Sequence, residues 1–279
     1  MRYARTRNAV TSDPSPGPDD AFWRDYLTRG HSVERAARRF FIHIPHEPRC
    51  SICAAPFGGI GGPVMRLIGK RQSDKTPKLC GSCFDFLSQH HGGAEIECTM
   101  LFADIRGSTT LAEGMSAAEY HAVLDRFYTT ASKVVFDHDG AVDKFVGDEL
   151  VAFFHKLVSG EQHAAKGVES ARALLDATGH SAPAGPWVPV GAGVHTGRVW
   201  MGAVGEGSHV ELTAVGDAVN VTARLASAAT AGEILVSVEA ALAAGLDPAL
   251  ERRSLELKGK QLPTDVVSLR VDADQVRAG

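Results

Sequence analysis

Two apolar runs separated by little more than a Gly-Asp pair constrain this chain more than any other stretch. Residues 141–146 and 150–154 are strand-like, and Gly147-Asp148 between them reads as a tight hairpin turn. An earlier alternating run, 95–103, leads into Asp104 and then into Gly107-Ser108-Thr109-Thr110, small residues that expose backbone N–H groups to an anion. Both carboxylates thus stand where a strand gives way to a turn. Mg²⁺ takes one or two carboxylates plus substrate phosphates, so a neighbouring pair is an adequate site. Each aspartate alone reads better as an ordinary turn residue than as a ligand. Asn220 and Arg224 share one face of an expected helix over 217–229, where Val219, Ala223 and Ala226 can pack. Arginine offers a rigid fork to a phosphoryl group and asparagine can fix a sugar oxygen, although an isolated pair also suits a solvent-facing stripe.

The remaining pattern is that of a mixed sheet with helices on one face. Ser116-Ala-Ala-Glu119 is a capping box, followed by a helical stripe of Tyr120, Leu124, Phe127, Ala131 and Val134. A second helix is expected over 161–178, and strands over 188–194, 199–204, 210–214, 234–236, 254–257 and 266–271. Alternation of helices with hairpins makes this half α+β.

Residues 1–93 are of a different kind. They carry 14 Lys/Arg against 8 Asp/Glu, whereas 94–279 carry 15 against 25, so charges of +6 and −10 divide the chain into two units. The basic charges are scattered, and nucleic acid is not an expected partner. Residues 1–18, rich in Pro and Ser, read as a disordered tail; 19–93 form a helical and cysteine-bearing module; 94–279 form the larger domain, with Gly92-Gly93 at the junction. Helical spacing runs over 21–42 with a break at Gly30, the Gly- and Pro-rich stretch 56–63 reads as a loop, and 84–90 as a short helix. No apolar run is long enough to span a bilayer and the first twenty residues lack the apolar core of a secretory signal, so a cytoplasmic location is expected.

Four cysteines, Cys50, Cys53, Cys80 and Cys83, form two C-x2-C pairs 26 residues apart. In a reducing compartment paired knuckles point to metal, with Zn²⁺ the expected ion and an iron–sulfur cluster the alternative. Cys98, in an alternating strand, reads as a core residue.

Four ordered blocks carry a resemblance. They are Thr99-Met-Leu-Phe-Ala-Asp-Ile-Arg-Gly-Ser-Thr-Thr110, Asp143-Lys-Phe-Val-Gly-Asp-Glu149, Gly193-Val-His-Thr-Gly-Arg-Val199 and Gly216-Asp-Ala-Val-Asn-Val-Thr-Ala-Arg-Leu225. Together they make residues 94–271 resemble the catalytic domain of class III adenylyl and guanylyl cyclases. The resemblance implies a ferredoxin-like core and a head-to-tail homodimer with active sites between subunits. It makes Asp104, Asp148 and the Ile105 carbonyl ligands of two Mg²⁺ or Mn²⁺ ions, and gives Gly107, Ser108 and Thr109 to the phosphates. Asn220 then orients the ribose and Arg224 stabilises charge on the transferring phosphorus. Lys144 and Thr213 fall at the purine-selecting positions, and Lys258, in Leu257-Lys-Gly-Lys260, at the triphosphate. Lys144 favours ATP; Thr213 stands where mammalian adenylyl cyclases carry Asp, and Ser108 where the family often has Phe. The activity implied is adenylate cyclase, regulated or merely dimerised by the N-terminal metal module, with guanylate cyclase and a silent nucleotide-binding sensor as the alternatives.

Overall fold

The helical stretch near the start forms two elements in a computed structural model that describes residues 20–29, 32–44, 48–50, 52–73, 79–90, 92–204, 211–256 and 263–271. These are α1 (Asp20–Thr28) and α2 (Ser32–Ile42), divided around the expected break. The tail assigned to 1–18 lies outside the described residues, as do Gly30, Val210, Leu257 and Lys258. The stretch expected as loop over 56–63 ends instead in a helix, α3 (Gly62–Leu67), because Pro63 occupies its first turn, where a missing N–H costs nothing. Helix α4 (Gly81–Gln89) starts directly after Cys80.

The sheet opens with β1 (Gly92–Ile105), so Gly92 and Gly93 belong to a strand, paired with Ala203 and Gly202. Then follow α5 (Ser108–Glu113), α6 (Ala117–Asp137), β2 (Ala141–Val146), β3 (Glu149–Phe154), α7 (Lys156–Ser159) and α8 (His163–Ala177). The C-terminal part supplies β4 (Val190–Val204), β5 (Glu211–Val215), α9 (Asp217–Ala228), β6 (Glu233–Ser237), α10 (Val238–Ala243), β7 (Arg252–Leu255) and β8 (Thr264–Arg270). Strand order is β2-β3-β1-β4-β6-β8-β7, with β5 also on β4. The strands expected over 188–194 and 199–204 are one, because the intervening His195-Thr-Gly-Arg198 stays paired with β1 residues Glu97 to Met100. The capping box forms as expected, Ser116 Oγ accepting from the Glu119 N–H.

Side-chain alternation along β1 explains both faces of the sheet. Leu101, Ala103 and Ile105 face Phe127, Ala131 and Val135 of α6 and Val168, Ala171 and Leu174 of α8. Met100 and Phe102 point the other way, into a cluster that holds Ala218 and Ala226 of α9 together with Trp23, Leu27, Cys50 and Cys80 of the N-terminal segment. Helices therefore cover both faces, correcting the one-sided arrangement: α9 and the N-terminal helices take the second face. A Cβ on Gly193 would fall 2.3 Å from the Ala226 nitrogen, so α9 lies directly on β4. Trp23 and Leu27 are fully buried, each stabilising this junction by about 1.5–3 kcal/mol. No helix among the described residues is long and apolar enough to cross a membrane.

Candidate active site

The hairpin carries its chemistry at the tip. β2 and β3 meet at Gly147, whose φ of 62° suits glycine, and Asp148 follows. Tyr128 of α6 stacks on Phe145 at 4.0 Å and its hydroxyl donates to the Gly147 carbonyl, fixing the tip. β1 pairs antiparallel with β3 so that Asp104 stands opposite Glu149, which brings Asp104, Asp148 and Glu149 together. Crowding shows in the protonation of Asp104 and Glu149. Burial, then the neighbouring Asp148, pushes Asp104 up to about 6, against the opposing pull of Arg106. Burial and Asp104 push Glu149 up to about 7. Three half-exposed carboxylates gathered at one end of the sheet are a hard-oxygen donor set suited to a divalent cation.

Ile105 closes β1 with a buried side chain. Beyond it Gly107, left-handed at φ 68°, is the N-cap of α5. The stretch expected as a loop is thus a helix start: Ser108 and Thr109 are its first two residues, and their N–H groups have no acceptor within the helix. Arg106 was not singled out by its sequence, although it lies two residues from Asp104. It ion-pairs with the Asp104 carboxylate and donates to the carbonyls of Ser227 at 3.1 Å and Ala229 at 3.4 Å, closing the C-terminal end of α9 against the strand.

That contact locates the other half of the expected site. Asn220 precedes Ala229 by nine residues, so at helical rise it lies about 14 Å along the axis from the end abutting Asp104. It is exposed, and Arg224, one turn on, is half-buried. Among the described residues no ion pair joins Arg224 to Asp104 or Asp148. A single chain therefore assembles the carboxylates without bringing Asn220 to them.

Lys144 and Thr213 do come together, although they lie on β2 and β5. Thr213 Oγ1 donates to Asp143 Oδ2 at 3.2 Å, and Lys144 Nζ lies 3.4 Å from the same oxygen and 3.3 Å from Glu211 Oε2. Burial works against the charge of Lys144, but Asp143 and Glu211 hold its pKa above the usual value. Asp143 and Glu211 are further residues that sequence reasoning passed over; Asp143 adjoins Lys144 and was legible there.

The second cluster is complete within one chain. The Sγ atoms of Cys50, Cys53, Cys80 and Cys83 all lie within 4.8 Å of one another. The first pair sits in a knuckle where the Cys50 N–H bonds to the Ala55 carbonyl, with Ala54 left-handed; the second lies at the start of α4, where the Cys80 N–H donates to Cys50 Sγ at 3.3 Å. The sulfurs share protons unequally: bonds from Cys50 pull Cys53 and Cys80 down, while burial pushes Cys50 up. Cys98 is fully buried in β1, its thiol held neutral by burial.

The sequence profile of the adenylate and guanylate cyclase catalytic domain matches residues 93–267. Adenylate cyclase 1 of Rhizobium meliloti is 36% identical over 146 residues, half of this chain and 22% of that protein. The adenylate cyclase of Anabaena cylindrica is 33% identical over 136 residues, 46% of this chain and 26% of that protein. The chain thus matches about a quarter of the length of these relatives. Among solved structures, the guanylyl cyclase Cya2 superimposes with a TM-score of 0.59 at 27% identity, over 63% of this chain and 93% of that one. The adenylyl cyclase CyaB from P. aeruginosa gives 0.55 at 28%, over 64% and 98%.

Proposed function

The chain belongs to the adenylate and guanylate cyclase catalytic-domain family, and from that premise we propose that it converts ATP to 3′,5′-cyclic AMP and pyrophosphate at sites shared head to tail by two copies of itself. The observation that carries the choice of ATP is the Thr213–Asp143 hydrogen bond. With its proton committed to Asp143, the Thr213 hydroxyl presents lone pairs outward, an acceptor for the exocyclic amine of adenine. Guanine offers an oxygen there and needs a donor. Lys144, held charged by Asp143 and Glu211, donates to adenine N1.

Asp104 and Asp148, with the Ile105 carbonyl, would hold two Mg²⁺ or Mn²⁺ ions, which when bound activate the ribose 3′-hydroxyl and neutralise the triphosphate. The N–H groups of Ser108 and Thr109, beyond Gly107, point at phosphate oxygens, and Lys258 is assigned to the same triphosphate. Asn220 of the second copy fixes the ribose for in-line attack on the α-phosphorus. Arg224 of that copy meets the charge that grows there, a role worth about 3 kcal/mol for one preorganised donor. The separation of Asn220 from Asp104 within a chain supports the shared arrangement.

At the four cysteines we assign Zn²⁺. Tetrahedral thiolates at a Zn–S distance of about 2.3 Å stand a little under 4 Å apart, in keeping with sulfurs clustered this tightly. An iron–sulfur cluster, holding several irons, would spread them further. Metal analysis and an absorption spectrum of anaerobically purified protein separate a colourless zinc protein from a brown iron one. Parallel assays with ATP and GTP, each with Mg²⁺ and Mn²⁺, test the activity. Absence of cyclic AMP from purified dimer under every condition refutes it, and preference for GTP shifts the assignment to guanylate cyclase.

A further inference from the structure

Arg38 is a charge that neither the cyclase site nor the cysteine cluster uses directly. It sits on α2 with 5% of its surface exposed. Its Nη1 donates to the carbonyl of Ile52, between Cys50 and Cys53 in the first knuckle, at 2.5 Å. Its Nη2 donates to the carbonyl of Gly140, the residue before β2, also at 2.5 Å. The guanidinium carbon lies 5.7 Å from the centre of the Phe136 ring of α6. One rigid fork thus spans the cysteine knuckle and the base of the hairpin whose strand carries Lys144 and whose tip carries Asp148.

The surroundings explain why a buried cation is tolerated. Burial lowers its pKa, while Asp139 and the thiolates of Cys50, Cys53 and Cys83 act the other way. A zinc tetrathiolate carries a charge of −2, so the cysteine centre is itself part of what keeps Arg38 charged. His155, also buried here, has its pKa lowered to about 4 and adds no competing cation at neutral pH. Asp139 is held on its far side by Lys166, whose Nζ reaches Oδ2 at 2.7 Å, and its carbonyl accepts from Ser159 Oγ at 2.8 Å. The turn is therefore anchored to α8 from one side and to the cysteine module, through Arg38, from the other.

We propose that Arg38 is a positioning residue coupling the four-cysteine centre to the catalytic hairpin, so that metal occupancy at the cysteines sets how firmly Lys144 and Asp148 are held. This deepens the cyclase reading and rests on it only for its kinetic consequence. A planar fork satisfying two carbonyls in fixed directions is a task that lysine does not reproduce.

The test uses the full chain with Arg38→Gln and Arg38→Lys, measuring zinc content, amide hydrogen exchange and steady-state kinetics. Both variants should retain one zinc per chain, and exchange over residues 139–150 should rise about tenfold while α8 keeps its protection. KM for ATP should rise about tenfold with a smaller change in kcat, since weakened purine placement acts on binding first. Removing zinc from the wild-type chain with a chelator should loosen the same residues, and removing it from Arg38→Gln should add little. Unchanged exchange over 139–150 overturns the proposal. So does equal loosening of α8, which would mark global destabilisation, or full wild-type behaviour of Arg38→Lys, which would reduce the role to charge. If neither chain makes cyclic nucleotide, the cyclase reading fails, while the exchange data still decide the coupling.

Discussion

The two metal-binding candidates differ in how much of a site one chain supplies. The cysteine centre draws four like ligands from two knuckles of one chain, three of them buried, and adds nearby cations in Arg38 and Lys70, the latter's pKa held up by the same thiolates against the effect of burial. It is closed. The carboxylate centre is half-exposed, is crowded by its own negative charge, and lies well removed from the exposed Asn220. A closed tetrahedral set suits architecture, whereas an open one leaves room for substrate and for a second copy. On the proposed reading one region is a stability element and the other a reactive one, and mutations should separate them cleanly.

The largest effect is expected at the closed centre. Cys80→Ser removes a ligand from a set whose metal contributes on the order of 10 kcal/mol of binding free energy. Zinc content should fall to near zero, and the apolar surface of Phe153 and Met201, which line one cavity with Ile52 and Leu79 of the module, should bind a hydrophobic dye. Retained metal with an unchanged melting curve would show that the cysteines are not structural. At the open centre, Asp104→Ala should lower kcat about a thousandfold, comparable to removing a principal electrostatic group. Its melting temperature should hold or rise by a few degrees, because the residue lost is an unfavourable carboxylate. Mixing Asp104→Ala with Arg224→Ala leaves one intact site per heterodimer, so random pairing should return about a quarter of wild-type activity. Shown association without recovery would break the shared-site account.

The difference between the regions also governs how far each was legible. The hairpin, the capping box and the clustering of four cysteines follow from local patterns, and local geometry delivered them. Asp104 and Asp148 were legible as ligand candidates because strand ends and turns expose carboxylates in a fixed direction. Glu149 was passed over because Asp104 reaches it only through strand register, and the contacts of Arg106 with Ser227 and Ala229 come from α9, neither of which is written in local spacing; Asp143 stood beside Lys144 and was legible there. Arg38 was invisible for a stronger reason. One more arginine in a charged helix looks solvated, and only packing of the module against the sheet buries it between Ile52 and Gly140. The unbroken β4 was missed because His195-Thr-Gly-Arg198 resembles a turn, whereas Thr196 is buried and hydrogen-bonded to Thr99 at 2.7 Å.

Acid should separate the two regions by sign. His155, fully buried near Leu27 and Arg38, is held neutral, with a folded pKa of about 4 against 6.5. Above pH 6.5 both folded and unfolded chains carry it uncharged. Between 6.5 and 4 only the unfolded chain takes the proton, so stability falls by about 1.4 kcal/mol per pH unit, about 3 kcal/mol in all. Asp104 and Glu149 act oppositely: their folded pKa values are raised, so the folded chain takes protons first and gains stability as pH drops from 7 toward 4. Denaturation of zinc-loaded protein without added Mg²⁺ or Mn²⁺ across this range should therefore show a shallower acid loss in His155→Asn and a steeper one in Asp104→Asn. Parallel curves for both variants would contradict the assigned environments.

The smallest effect provides the control that the others need. Ser116 caps α6, its Oγ accepting the Glu119 N–H at 3.3 Å while the Ser116 N–H donates to Glu119 Oε2 at 2.8 Å. Ser116→Ala should cost about 1 kcal/mol. The cap lies on an exposed helix end and is not among the residues assigned to metal or nucleotide. Zinc content, kcat and KM should accordingly stay at wild-type values while the denaturation midpoint moves down. If this variant lost activity in proportion to stability, the kinetic losses at Asp104 would need the same explanation, and the division between a closed structural centre and an open reactive one would collapse.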